Sequence, residues 1–123
     1  MNSFKLNKML VSEFPNLKDL YKKEVEWQEG DNTGSHIVYG DVLTPYLRSC
    51  IKNKNINEIK KISNFLENLL SINDIYSNEV ITFSVLESIL DLICLDNDII
   101  TFFGKNSKKI IFELKDYHEN NKL

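Results

Sequence analysis

Two histidines, two cysteines and eighteen acidic residues are the groups in this 123-residue chain whose types could move a proton, hold a metal or act as a nucleophile. His36 follows a glycine-bearing loop, and as a catalytic base it would need a carboxylate to orient it and a nucleophile within reach. Asp41 lies five positions on, which is poorly aligned with it on a regular helix, so His36 reads as a packing or local capping residue. His118 stands beside Glu119 in a polar turn of sequence and reads as solvent-exposed. No Cys/His spacing suits zinc. Asp96-Asn97-Asp98 opens like a calcium loop, but the glycine and the distal glutamate are missing at the required offsets, and a helix cap explains these residues better. Cys50 and Cys94 both lie on apolar stripes, which predicts buried, unreactive thiols. Without an export signal they are expected to be reduced. Phosphate-binding glycine loops and nucleophile elbows are absent from the sequence. The expectation is a protein that is not an enzyme and that holds no cofactor and no metal.

The carboxylates say more by their placement. Net charge is −3 with 15 Lys and Arg, 14 of them Lys. From Ile62 to Gly104 there is no Lys, Arg or His, while Glu67, Asp74, Glu79, Glu87, Asp91, Asp96 and Asp98 fall there, a balance of −7 against +4 for the remainder. Ordinary domains intersperse the two signs. Such a block reads either as a solvated face or as a docking surface for a basic partner, since a one-signed field steers association. Nucleic acid is disfavoured because phosphate binding needs clustered Lys and Arg. Trp27 stands among Glu24, Glu26, Glu29 and Asp31, and reads either as a core or half-buried ring or as an interface anchor. Glu87 and Asp91 form an i, i+4 like-charge pair, which costs an isolated helix a few tenths of a kcal/mol, about 0.3.

These groups must be positioned by helices, because the apolar period is helical nearly throughout. A first helix with Phe4, Leu6, Met9, Leu10 and Phe14 inward stops before Pro15. Asn16 is the expected cap of a second, with Leu17, Leu20, Tyr21 and Val25 on its inner face and Gly30 as its end signal. The segment 30–34 is the clearest loop. A third helix over 35–52 carries Pro45 inside it and should kink or break between Asp41 and Pro45, since an uncompensated proline there costs about 3 kcal/mol. Asn55 with Glu58 resembles a capping box before Ile56, Ile59, Ile62, Phe65, Leu66, Leu69 and Leu70. Asn73 or Asp74 caps a helix to about Leu92, with a stripe of Ile75, Ile81, Val85, Leu86, Ile89 and Ile93, although 80–85 is rich in strand formers. Asp96 caps a short helix closed by Gly104. Asn106 or Ser107 then caps a last one with Ile110, Ile111, Leu114 and Tyr117 inward.

The expected fold is therefore one all-α domain over 1–123, with six or seven short antiparallel helices. Stacked helical hairpins of HEAT type and a compact bundle both fit, and the similar lengths of 36–52 with 55–71 and 74–93 with 96–120 favour the stacked form. Self-similarity between those pairs is too weak to be a repeat. No apolar run approaches the roughly 20 residues a bilayer needs, and no signal peptide is recognisable, so a cytoplasmic protein with no membrane partner is expected.

Trp27, the run His36-Ile37-Val38-Tyr39-Gly40-Asp41-Val42-Leu43 with Pro45-Tyr46-Leu47, then Phe65-Leu66-Glu67 and Phe83-Ser84-Val85-Leu86-Glu87 carry a resemblance over roughly residues 20 to 105. The chain resembles small helical bacterial immunity proteins that are encoded beside polymorphic or contact-dependent growth inhibition toxins. That resemblance implies a cytosolic protein that binds one toxin domain and blocks it, as a monomer in complex with the toxin, and it implies no catalytic residues. A nuclease toxin would be basic, so the partner-binding residues expected are Glu26, Trp27, Glu29, Asp31, Asp74, Glu79, Glu87, Asp91, Asp96 and Asp98. A small helical adaptor or scaffold binding another protein or peptide is the alternative.

Overall fold

Apolar residues spaced by three and four give six helices in the computed structural model, which describes residues 1–120, and no strand occurs among those residues. The expected domain over 1–123 thus runs three residues past the described ones. Helix α1 (Ser3–Glu13) is capped by Asn2, whose Oδ1 accepts from the Lys5 N–H at 2.9 Å. It ends at Phe14, as the residue before Pro15 disfavours helical backbone. A tight 3-10 turn, Pro15–Leu17, leads into α2 (Lys18–Glu26). Asn16 lies inside that turn and caps nothing, because Pro15 starts the helical backbone one residue ahead of it. Helix α2 ends at Glu26, short of Gly30, whose φ of +58° instead shapes the loop that follows. Asn7 holds that loop to α1 by donating to the Thr33 carbonyl at 2.7 Å and the Asp31 carbonyl at 3.1 Å.

Helix α3 (35–52) contains the expected distortion at Pro45 as a widened π turn, Tyr39–Leu43, between Ser35–Val38 and Thr44–Lys52. The Thr44 N–H bonds back to the Tyr39 carbonyl, five residues earlier, and the wider turn relieves the clash between the proline ring and the Asp41 carbonyl. At its end the Lys54 N–H reaches the Ile51 carbonyl and the Asn55 N–H reaches the Cys50 carbonyl, with Lys54 at φ 55°. That is a Schellman stop with lysine where glycine is usual.

Helix α4 (Ile56–Leu70) opens on Asn55, whose Oδ1 accepts from the Glu58 N–H at 3.4 Å. Helix α5 (75–95) opens on Asp74, which accepts from the Ser77 N–H at 2.9 Å and from the Met1 amino group at 2.7 Å. The strand-prone stretch is helical, as a second π turn at Val80–Leu86, and it is followed by a tight turn Glu87–Ile89 and by Leu90–Leu95. Ile75 is exposed, contrary to the stripe drawn through it, because the wide turn shifts the phase of everything before it. Asp96 caps a local turn, accepting from the Asp98 N–H at 3.0 Å, and the short helix expected there is a 3-10 turn, Ile99–Phe102. Helix α6 is Lys105–Asn120.

The core draws on all six helices, with Phe14, Tyr39, Leu47, Phe65, Leu66, Ile81 and Ile111 among its buried side chains. The Phe14 ring meets Phe65 edge-on at 5.4 Å, and Tyr39 stacks on Phe65 at 6.4 Å. Stacked hairpins touch only their sequence neighbours. Here α1 reaches α4 through Phe14 and α5 through Ser3, whose hydroxyl lies 2.7 Å from that of Tyr76, so the arrangement is the compact bundle. Phe4, Leu20 and Tyr117 are exposed rather than inward. No helix among the described residues is long and apolar enough to cross a membrane.

Candidate functional site

The two π turns lie side by side. The Thr44 hydroxyl donates to the Ser84 carbonyl at 2.7 Å, satisfying an acceptor in the second wide turn. The same turn sets which residues α5 shows to α6. Thr82, Phe83 and Glu87 face Ile110, Glu113, Leu114, Tyr117 and His118 across a groove of about 710 Å³. It continues past Glu87 and His118 into a cleft of about 360 Å³ lined also by Leu90, Asp91, Cys94, Lys115 and Glu119. Phe83 is 54% exposed and Tyr117 63% exposed, so two large rings stand open to solvent in one groove.

Four carboxylates and one lysine line it, which makes the groove acidic. Glu87 lies 3.4 Å from His118 Nε2, across the groove. Asp91 is held in a fork by Arg48, at 2.8 and 2.9 Å, while the same guanidinium donates to the Ser88 carbonyl at 2.6 Å. Those charged hydrogen bonds hold the Asp91 carboxyl below its usual range.

A second polar cluster lies away from the groove. His36 Nδ1 is 2.8 Å from the Ser84 hydroxyl, and its ring meets Tyr76 edge-on at 5.9 Å. His36 is exposed and makes surface contacts to Ser84 and Tyr76 rather than to Asp41. Asp41 faces Glu24 instead; the two carboxyl groups share a hydrogen bond, and this pushes Glu24 above its usual range. Among the described residues no group of three or more His, Cys, Asp and Glu could hold a metal ion.

The chain matches the family model of a domain of unknown function, DUF7674, over residues 7–119. It belongs to that family. No curated protein and no solved structure matches it. The DUF7674 region takes in both π turns and the whole groove.

Within the DUF7674 domain, the ten side chains expected at an interface do not form one surface. Glu87 and Asp91 line the groove. Asp74 is tied into the start of α5 by the Met1 amine and Ser77, which keep its carboxyl low, and Glu79 is exposed on the next turn. Asp96 and Asp98 are exposed in the turn after α5. Asp31 accepts from the Tyr21 hydroxyl and lies 3.4 Å from Lys8, and with Glu26 it borders a cleft also lined by Lys8, Lys18 and Lys22. Glu26 and Asp31 are thus set among lysines. Trp27 itself is 72% exposed, which overturns its reading as a core or half-buried ring, and Glu29 beside it is exposed. The like-charge cost at Glu87 and Asp91 is eased inside the molecule by Arg48, which pairs with Asp91.

Cys50 is buried and burial pushes its thiol up, but Cys94 is exposed and opens into the groove; neither is paired. Cys94 lies in the last turn of α5, on the side away from the buried Leu92 and Ile93. Phe83, Glu113, Tyr117 and Glu119 were not among the expected interface residues. Tyr117 faces outward because the apolar stripe of α6 runs one turn beyond the core. Phe83 follows a phase that the wide turn alters.

Proposed function

We propose that this chain is an immunity-type inhibitor, a cytoplasmic protein that binds a cognate bacterial toxin domain one to one and neutralises it through an acidic surface. The observation that carries the reading is the groove between α5 and α6, where exposed Phe83 and Tyr117 stand among Glu87, Asp91, Glu113 and Glu119. Interface cores favour aromatic anchors, and a rim of one sign speeds encounter with an oppositely charged protein. The partner suited to it is basic, as a phosphate-binding nuclease domain would be. The resemblance of 20–105 to immunity proteins supports the same reading. Co-expression with the toxin domain encoded next to it tests the proposal. A stable complex at low ionic strength and protection of cells from the toxin are expected; absence of any complex at low salt overturns it.

A second reading, a small adaptor that binds a peptide, is favoured by one observation. A cleft of about 850 Å³ between α1 and α4 is lined by Met1, Phe4, Met9, Phe65, Leu69 and Ile72. Lys5, Lys8, Ser12 and Glu13 border it too, and flexible methionines such as Met1 and Met9 adapt to varied partners. Loss of toxin binding in groove variants, with cleft variants unaffected, separates the two.

A further inference from the structure

The α5–α6 groove has a shape as well as a charge. Its lining on α5 comes from Thr82, Phe83, Glu87, Leu90, Asp91 and Cys94, a stripe that follows one side of the helix. Residues 82 to 94 span about 18 Å of helix, and a partner helix of about 12 residues has the same length. Along its floor lie Ile110 and Leu114, with Phe83 and Tyr117 standing up at one end. Carboxylates border both halves, Glu87 and Glu113 in the first, Asp91 and Glu119 in the second, with Lys115 the one lysine. Two neighbouring helices with an apolar floor between them accept a third helix, whose side chains at i, i+3, i+4 and i+7 enter the groove.

We infer that the occupant of this groove is an amphipathic helix of the partner, about three turns long, whose apolar stripe is flanked by lysine or arginine side chains. This rests on the reading of the partner as a basic protein, and it names the part of that partner that docks. The apolar stripe covers Phe83, Leu114 and Tyr117, while the flanking cations meet Glu87, Glu113 and Glu119; Asp91 is already engaged by Arg48. An acidic helix of the same apolar pattern is repelled by the same groove.

Cys94 provides the readout, since its exposed thiol lines one half of the groove while Cys50 is buried. The probes are two peptides of about 14 residues with one leucine stripe, the first carrying lysines and the second glutamates at the flanking positions. At about ten times its Kd the lysine peptide is expected to slow maleimide alkylation of Cys94 about tenfold by mass action, and the glutamate peptide to leave it unchanged. Phe83→Ala and the pair Glu87→Gln with Glu113→Gln, all on exposed or half-exposed positions that spare the core, each weaken the lysine peptide about tenfold. Equal protection by both peptides, or none from the lysine peptide at about 1 mM, overturns the inference. Alkylation of Cys94 within a complex with the toxin domain keeps the two ideas apart. A complex whose Cys94 labels at the free rate overturns the helix-in-groove inference and leaves the inhibitor reading standing. Protection by the lysine peptide with no toxin complex supports the groove and removes the toxin.

Discussion

The carboxylate of Glu67 on α4 occupies the place that a side chain on Gly104 would need: a Cβ there would lie 2.5 Å from Glu67 Cδ. From that position Glu67 accepts from the Asn106 N–H at 2.7 Å and from the Ser107 N–H and hydroxyl at 3.2 and 3.1 Å. It is the N-terminal cap of α6, supplied from a helix 39 residues away in sequence. A negative charge there also suits the helix dipole.

Glu67→Ala is expected to cost about 1 kcal/mol in urea unfolding, the usual value of a lost cap. Gly104→Ala should cost about as much, because the new methyl group displaces the same flexible carboxylate. The double variant should then be no worse than either single one, a clear departure from additivity. Independent, summing effects would refute the shared cap.

Neither Asn106 nor Ser107 does the capping that the local sequence suggests, and the reason is general. Local rules see a residue three positions away but not a carboxylate delivered by another helix. Helix existence and inner faces were legible, because Leu6, Leu10, Ile59, Ile62, Leu66 and Ile111 obey a strict period and are all fully buried. The kink at Pro45 was legible too, from covalent geometry alone. What escaped, namely Ile75, Phe83, Cys94 and Tyr117, lies beyond a change of helical phase or past the edge of the core. The acidic block was visible in the sequence, but its division among Arg48, His118, the Met1 amine and open groove depends on long-range neighbours.

Arg48 and Asp91 are partly exposed, so their fork is worth at most about 1 kcal/mol despite its geometry. Arg48→Lys should lose most of that, since an ammonium cannot make both bonds and also reach the Ser88 carbonyl. Asp91 has its folded pKa lowered by Arg48, so the contribution is complete above the unfolded value of about 3.9 and disappears as pH falls through the folded one. Thermal melts of wild type and Arg48→Lys should therefore differ at pH 7 and converge in acid. A difference that does not shrink as the pH falls would contradict the assignment.

For Glu24 the sign is the reverse. Its pKa is raised by the shared hydrogen bond with Asp41, so ionisation works against the folded state, and the penalty grows as pH rises through the folded value. Glu24→Gln should stabilise the protein by about 0.3 kcal/mol at pH 7 and by nothing near pH 4, below the unfolded pKa of about 4.3. Chemical denaturation at the two pH values measures it; destabilisation at pH 7 would show that the carboxyl pair is not repulsive.

Lys54 sits in left-handed backbone at the end of α3, where a side chain is strained. Lys54→Gly is expected to raise stability by about 1 kcal/mol, while Lys54→Ala changes little because it keeps the Cβ. Equal melting temperatures for the Gly and Ala variants would count against the strain.

The paired π turns link the two halves of the fold through helical phase. In an α-helix each residue advances the side chains by about 100°, so a wide turn re-aims everything that follows it. Arg48 comes after the Tyr39–Leu43 turn and Asp91 after the Val80–Leu86 turn, and they meet with both turns in place. Removing one residue from either turn would rotate Arg48 or Asp91 away from its partner and turn core residues toward water. The two irregularities therefore set the register of both helices, and a length change in either is felt at the Arg48–Asp91 pair and in the core at once.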